Sequence, residues 1–511
     1  MSRPDPENAK PGVRLSDTTF SAVPAQPLSG AEHLAAGLAS AAASGFRGGP
    51  VSRRNYVLGI LNGALGTVAY DFIHPDLILA GLVFTLSRTA YGEGVAFFLV
   101  AVLSIINKGG SLLPQLYVSS LLEHRPRKRP FYVLLTFIRG GGAAALVLSI
   151  WLLASRVDAL ALAMFFISFL VIASCMGAGH VITLDMFGRM IKMDRIGSFL
   201  GTREFLGGAL SLVAGLVIVQ PILARGQAAA DNAVLAFNYF LLGIVGSTLT
   251  VVSMTALILC REEEGPRARR RTTFLESLIR GWRWLKRNRD YRAYFWLRVA
   301  FRVNDLGLAF FIPYGEQRLR PGDPGAVVVL GGLFVATFKL SRVLSSLLWG
   351  WTVDRYGDRA CLVWTGMCFV LAPILALAAP LAPGAFAVPI PMTETVLDLP
   401  LVVYLLALAG IGTAYQGSII GGNRFLIGRA PPRRRLSYIG FLNTVTSPLT
   451  LLPVLGAVVA AHLGVTALFV AIVGGGLLYL VWSIRMRPEA EMLARGRRGG
   501  VGEPESAEVG P

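Results

Sequence analysis

Charge is scarce in this sequence: Asp, Glu, Lys and Arg together make up 15% of its 511 residues, against about a quarter in ordinary soluble domains. Apolar side chains supply 54%, and the mean hydropathy is +0.59. A water-facing surface cannot be made from that balance. Cysteine is also sparse. All four (Cys175, Cys260, Cys361 and Cys368) lie in or beside apolar stretches, with no paired spacing in a polar loop and no histidine in metal-ligand register. That argues against a disulfide framework or a zinc site. No G-x-x-x-x-G-K-[ST] loop occurs, which disfavours ATP as the energy source. No acid/base or metal constellation gathers at one membrane face, so an enzyme is not expected, and no cofactor is implied. Residues 1–52 lack the compact apolar segment of a cleavable leader and read as a disordered tail.

What is present is a series of apolar runs long enough to cross a hydrocarbon layer of about 30 Å as helices. The expected spans are 55–86, 93–121, 131–154, 159–187, 203–223 and 235–260, then 292–313, 326–350, 360–381, 400–424, 436–460 and 464–485. The fold class is therefore an all-α membrane protein of about twelve transmembrane helices. The expected division is a tail at 1–52, a six-helix bundle at 53–260, a linker at 261–291, a second six-helix bundle at 292–487 and a tail at 488–511.

The net charge is +18 and the pI near 10.2, yet the basic residues form short clusters between apolar runs instead of one face that could take nucleic acid. Such clusters mark cytoplasmic loops: Arg125, Arg127, Lys128 and Arg129; Arg189, Lys192 and Arg195; Arg267, Arg269, Arg270 and Arg271; Arg355 and Arg359; Arg429, Arg433, Arg434 and Arg435. Both termini are then cytoplasmic in a multi-pass protein of a bacterial inner membrane. In the linker, Phe274, Leu275, Leu278, Ile279, Trp282 and Leu285 recur at helical spacing opposite Arg280, Arg283, Lys286 and Arg287. This reads as a helix lying on the inner leaflet, with a partner-binding helix as the alternative.

The halves repeat each other. Gly188-Arg189 is followed by Arg195-Ile196-Gly197-Ser198-Phe199-Leu200-Gly201; Gly428-Arg429 is followed by Arg435-Leu436-Ser437-Tyr438-Ile439-Gly440, with one residue of offset. After the eighth span the sequence reads Gly350-Trp351-Thr352-Val353-Asp354-Arg355-Tyr356-Gly357-Asp358-Arg359. Its counterpart after the second span has Ser119 for the first Gly, Glu123 for the Asp and Pro126 for the second Gly. The loop resembles the G-x-x-x-D-R-x-G-x-R motif of the major facilitator superfamily, and the six-plus-six plan resembles that family over nearly the whole spanning region. The resemblance implies two pseudo-symmetric bundles that rock about a central cavity, and a latch that stabilises the outward-facing state. Without the family, Gly357 supplies backbone freedom for a tight turn, Asp354 can accept hydrogen bonds at a neighbouring helix end, and Arg355 or Arg359 can pair with it. The expected latch comprises Glu123, Arg127, Asp185, Gly350, Asp354, Arg355, Gly357 and Arg359; the alternative is that the arginines only fix topology.

Charges within spans cost about 2.5 kcal/mol or more each unless they face water or a partner. Asp71 and Asp76 flank His74-Pro75; Lys108 precedes Pro114-Gln115; Arg139 precedes three glycines; Arg298, Arg302, Asn304 and Asp305 follow on the seventh span, Lys339 and Arg342 on the eighth. Cations prevail, so a cavity lined by Lys108, Arg139, Arg298, Arg302, Asn304 and Lys339 would suit an organic or phosphorylated anion; internal pairing as helix glue is the competing reading. Asp71, Asp76 and Asp305 are the candidates for proton coupling, with His74 as a relay, although Pro75 could equally mark a helix break. Asn62 is a further polar contact for the cavity or for a neighbouring helix. The fifth span, with Gly207, Gly208 and Gly215, lacks the G-P-x-x-G-G run of drug/proton antiporters. The expected function is a monomeric secondary transporter of a small molecule in a lipid bilayer, with a non-transporting membrane scaffold as the rival.

Overall fold

The computed structural model describes residues 50–488 except 156, 229–231, 263, 266–271, 309, 320–323, 385 and 390–395. Nearly all of both expected tails, and the arginine run at 267–271, fall outside the described residues.

Among the described residues twelve helical rods follow one another. The first runs Pro50–Phe72, breaks at Ile73-His74 and resumes through a π-helical turn, Pro75–Leu79, into Ala80–Tyr91. The second is Glu93–Leu112 with Pro114–Leu122, the third Arg129–Ser155, the fourth Ala159–Met190. The fifth begins at Ile196, earlier than its apolar run, and carries a second π turn at Gly215–Val219 before ending at Ala228; the sixth is Asn232–Ile258. The seventh is Arg289–Leu308 with Phe311–Leu319, and the tenth Leu399–Arg429. Eighth and ninth share the continuous stretch Pro324–Ala378, which turns at Gly357 (φ 83°). The eleventh runs from Arg435 to a turn at Gly464 (φ 85°), and the twelfth from there to Arg485. Both turns need the positive φ that glycine tolerates and other residues resist.

Among the described residues eight helical stretches are long and apolar enough to cross a membrane by length and composition, Leu330–Leu381 holding two rods. The seventh rod falls outside this set because Asp290, Arg292, Arg298, Arg302 and Asp305 crowd it. Apolar side chains also coat the outside, as at Phe98 and Phe137, which are 67% and 75% exposed, where hydrocarbon satisfies them.

The linker helix, Phe274–Arg287, opens with a capping box between Thr273 and Glu276, which satisfies two of its free N–H groups. Leu285 and Gly281 are buried against the eleventh rod, while Leu275, Ile279 and Trp282 remain exposed. The end of the molecule that carries this helix is called the linker face below. At the opposite end a short hairpin pairs Ala387–Pro389 with Val396–Asp398, and Asp398 then caps the tenth rod through the Leu401 N–H.

Burial divides unevenly. One apolar cluster, including Val68, Phe72, Leu82, Leu146, Phe165 and Tyr239, belongs wholly to the first six rods. The other joins the second bundle to the linker-face ends of the first, with Leu122, Phe187 and Phe199 beside Val353, Tyr438 and Phe441. Among the described residues the two bundles therefore share a buried apolar core near the linker face.

Candidate functional site

At the linker face, Asp354 ends the eighth rod and reaches the first turn of the fifth. One carboxylate oxygen accepts the Gly197 N–H at 2.7 Å; the other accepts the Ser198 N–H at 2.6 Å and the Ser198 hydroxyl. A carboxylate is favoured there because the free N–H groups of a helix start carry partial positive charge. The backbones come so close that a Cβ on Gly197 would lie 2.4 Å from the Gly350 carbonyl, and one on Gly201 would lie 2.5 Å from that of Ser346.

The other copy of the loop makes a related seam between the second and eleventh rods. Glu123 accepts from Arg434 at 2.9 Å and lies 3.7 Å from Arg280 of the linker helix. Gly440 packs on Ser119 and Gln115 as Gly201 packs on Gly350 and Ser346. Arg195 and Arg434 occupy the same position before their helices, with φ/ψ of −132°/6° and −129°/17°. The one-residue offset between the repeats thus lies in the loop ahead of each helix.

Asp185, buried on the fourth rod, sits 2.5 Å from Arg189 and 3.5 Å from Arg435 across the seam. Within the second bundle, Arg429 holds Asp358 at 2.7 Å and Asp290 at 3.5 Å. Arg127 is not brought to this cluster; it forms an exposed pair with Glu264 at 3.1 Å, because its side chain leaves the loop toward water. Arg355 is exposed, and Arg359 donates to the Ile484 carbonyl instead of to Asp354. Arg429, Arg434 and Arg435 had shown only as topology signals in the sequence. Lys128 had as well, yet it is buried, and its ammonium donates to the carbonyls of Leu122 and Arg125, both at 2.5 Å. Burial pulls its pKa down from 10.5 to about 8.

Toward the middle of the rods the two bundles face each other through polar groups. Asp71 accepts the Ser211 hydroxyl and, with Lys339 of the eighth rod, lines a cavity of about 90 Å³. Ile78 and Gly215 line it too, so both π turns among the described residues border this space. Such turns recur at functional sites because they displace a backbone from regular helix. His74 lies within reach of the charges of Asp71, Asp76, Lys339 and Arg342. Asp76 itself is exposed.

On the seventh rod, Arg302 donates to Asp305 at 2.9 Å, and the Tyr415 hydroxyl donates to the same carboxylate at 2.5 Å. Arg298 donates to the Asn443 side-chain oxygen at 3.0 Å, and Asn443 donates onward to Gln115 of the other bundle at 2.6 Å. Arg342 lies 3.5 Å from the Gln416 oxygen. Asn304 is not brought to this gap: it is buried against Gly475 of the twelfth rod and donates to the Ala300 carbonyl. Lys108 is half-buried on the second rod, and Arg139 lies beside Tyr132 and Cys175. Asn62 donates to Ser253 of the sixth rod at 2.9 Å and accepts from Arg203 at 3.5 Å.

Two residues of this gap were missed from sequence. Arg203 sits within the fifth rod, its guanidinium over the Phe187 ring. His180 is exposed although the fourth rod is buried on either side of it, from Gly177 to Gly179 and from Val181 to Phe187. It also lies within reach of the charges of Arg203 and Arg298, one from each bundle.

No protein-family model matches the chain, and no curated protein matches it. Solved structures do. The E. coli fucose:proton symporter FucP is 12% identical and superposes with a TM-score of 0.62 over 86% of this chain and 100% of its own. A bacterial homologue of the iron transporter ferroportin, in an outward-facing state, is 17% identical with a TM-score of 0.58 over 85% and 99%. The human organic anion transporter MFSD10 is 15% identical with a TM-score of 0.56 over 86% and 100%. At such identities the likeness is one of fold, and the chain has the multi-pass fold of the major facilitator superfamily of transporters.

Proposed function

We propose that this chain is a secondary transporter that carries a small anionic solute between its two bundles by alternating access, coupled to protons, with the linker face toward the cytoplasm. One observation carries the reading: the bundles share buried apolar core and polar seams near the linker face, and elsewhere face each other through charged side chains around a cavity. A scaffold gains nothing from one-sided closure, whereas a transporter needs it. Clustering of arginines in the linker-face loops supports the orientation. On it, the state described here is outward-facing.

Within the gap, Arg298, Arg342 and Lys339 outnumber carboxylates free to neutralise them, since Asp305 is already held by Arg302 and Tyr415. The solute's negative charge then meets cations from the second bundle, with Lys108 and Arg139 as further candidates in the first. Asp71 is the proton carrier we favour, because it borders a cavity at the bundle interface together with Lys339. Among the neighbours of this fold are a fucose:proton symporter and an organic anion transporter, which lends support to both chemistries.

The test is flux into proteoliposomes of the purified protein, run over a panel of anions, cations and sugars with and without an imposed pH gradient. We expect uptake of an anion that follows the gradient and loses that dependence in Asp71→Asn. Transport of cations or neutral sugars alone, or no transport of any solute, refutes the reading.

A further inference from the structure

A second cavity lies at the linker face, away from the space that Asp71 and Lys339 border. It measures about 360 Å³ and is lined by Arg127, Arg129, Pro130, Val133 and Glu262, so it sits where the third rod begins and the chain leaves the sixth. Of the charges lining it, the carboxylate is already engaged. Glu262 accepts the Lys128 N–H at 2.7 Å and the Arg129 N–H at 2.8 Å, lies 3.7 Å from Arg189, and has a side chain only 2% exposed. The cations are held far less. Arg127 pairs with Glu264 at 3.1 Å, but the two side chains are 62% and 65% exposed, and water leaves such a pair little energy. Arg129 is exposed, and among the described residues no carboxylate lies within 4.0 Å of its guanidinium. Next to the cavity the wall turns apolar: Pro130 and Val133 head a row that continues through Leu134, Phe137 and Ile138, all three exposed. These positions, i, i+3, i+4, i+7 and i+8, share one face of the third rod.

We infer that this cavity is a binding site for an anionic glycerophospholipid of the adjoining leaflet, its phosphate held by Arg127 and Arg129 and its acyl chains lying along the exposed row of the third rod. The inference goes beyond the transport reading and does not depend on it. Guanidinium groups offer forked donors that match phosphate oxygens, and basic pockets at the ends of membrane-spanning helices attract anionic headgroups. Arg127 gives up little by turning from Glu264 to a phosphate, and Arg129 gives up nothing. Arg129 and Leu134 lie about 7 Å apart along the helix axis, which leaves room for a glycerol backbone between a phosphate at the arginines and acyl chains on the apolar row. The same row faces hydrocarbon, so the cavity opens to the lipid side of the first bundle. An anionic head is favoured over a choline head because the choline ammonium would join two arginines in a cavity whose own carboxylate is already satisfied.

The experiment uses the full-length protein in detergent, titrated with phosphatidylglycerol, phosphatidylcholine or inorganic phosphate. Native mass spectrometry counts the lipid retained, and thermal unfolding follows stability. Phosphatidylglycerol should bind saturably and raise the melting temperature; phosphatidylcholine should bind more weakly, and inorganic phosphate, which has no acyl chains for the apolar row, should do nothing at the same concentration. Arg127→Gln and Arg129→Gln should each raise the half-saturating concentration of phosphatidylglycerol about fivefold, the equivalent of the ~1 kcal/mol that one basic residue contributes at a headgroup. Val133→Trp, which fills the cavity without changing its charge, should weaken binding as well. Arg355→Gln, an exposed arginine at the same face of the other bundle, should leave it unchanged. Equal binding of phosphatidylcholine, phosphatidylglycerol binding that survives removal of both arginines, or an affinity that ignores Val133→Trp overturns the site. Stabilisation by inorganic phosphate equal to that by phosphatidylglycerol makes the occupant a free anion and overturns the lipid assignment. All of these outcomes are read without flux, so a protein that carries no solute across a proteoliposome refutes the transport reading and leaves the lipid site standing.

Discussion

Asp354→Asn offers the sharpest test of how the linker face is held shut. In the native protein this carboxylate accepts two backbone N–H groups, at 2.7 and 2.6 Å, and one hydroxyl, all from the first turn of the fifth rod in the other bundle. Asparagine keeps a single acceptor oxygen and turns an NH₂ group toward the remaining N–H. Charge-assisted hydrogen bonds contribute about 1.5–3 kcal/mol each and a neutral one about 1, while the charge at a helix start adds about 0.3–1 kcal/mol. Taking one bond as retained in weakened form, the closed arrangement should lose about 3 kcal/mol, which is on the order of a hundredfold in the closed-to-open ratio. Double electron–electron resonance between labels at Lys192→Cys and Tyr356→Cys, both exposed positions flanking this seam, reads that ratio directly. We expect a second, longer distance to appear in Asp354→Asn. A distribution identical to that of the parent, with folding intact, would mean that these bonds do not hold the bundles together.

Arg429→Gln leaves two buried carboxylates, Asp358 and Asp290, without their shared cation; breaking a buried pair in this way costs about 3–5 kcal/mol, so a drop of many degrees in melting temperature is expected, and a drop of only one or two would refute the pairing. Lys128 gives a pH signature. Between about pH 8 and 10.5 the unfolded chain keeps a proton that the folded one has released, so stability should rise with pH across that window, by at most about 1.4 kcal/mol per unit. Below about pH 8 both forms are charged and the effect is flat. Lys128→Met should be less stable at neutral pH, having stripped the donor from the buried Leu122 carbonyl and from that of Arg125, and should lack the rise; an unchanged rise in the variant assigns it to another group.

The rods were legible in the sequence because hydrocarbon tolerates only long apolar helices, and that demand is written in composition over runs of about 20 residues. Their ends were less so. The polar first turn of the fifth rod, from Ile196, lies outside its apolar run because it is held by Asp354 instead of by lipid. The seventh begins at Arg289, where Asp290 finds Arg429. Pro75 interrupts the first rod without ending it, since a π turn lets the helix resume. Intramembrane charges were easy to pick out and hard to pair. Glu123 and Arg434 are 311 positions apart, Asp354 and Gly197 157 apart, and no local pattern encodes such distances. The Arg302–Asp305 pair, three residues apart on one helix face, was the exception. His180 carries no local mark at all: it is a single polar residue in an apolar run, and only its exposure within the folded protein gives it away.

The two repeats seal the linker face by the same two means. Between the fifth and eighth rods glycine backbone lies directly on glycine backbone at Gly197, Gly201 and Gly350, with the Asp354 carboxylate across the seam. Between the second and eleventh rods Gly440 lies on the main chain at Gln115 and Leu116, with Glu123 on Arg434 across the seam. Bare main chains in contact have no rotamer to turn aside and little room to admit solvent. Side-chain carboxylates and guanidinium groups can trade each bond for one to water. A face fastened in both ways yields first in its side chains, and its glycine contacts part only when whole rods move.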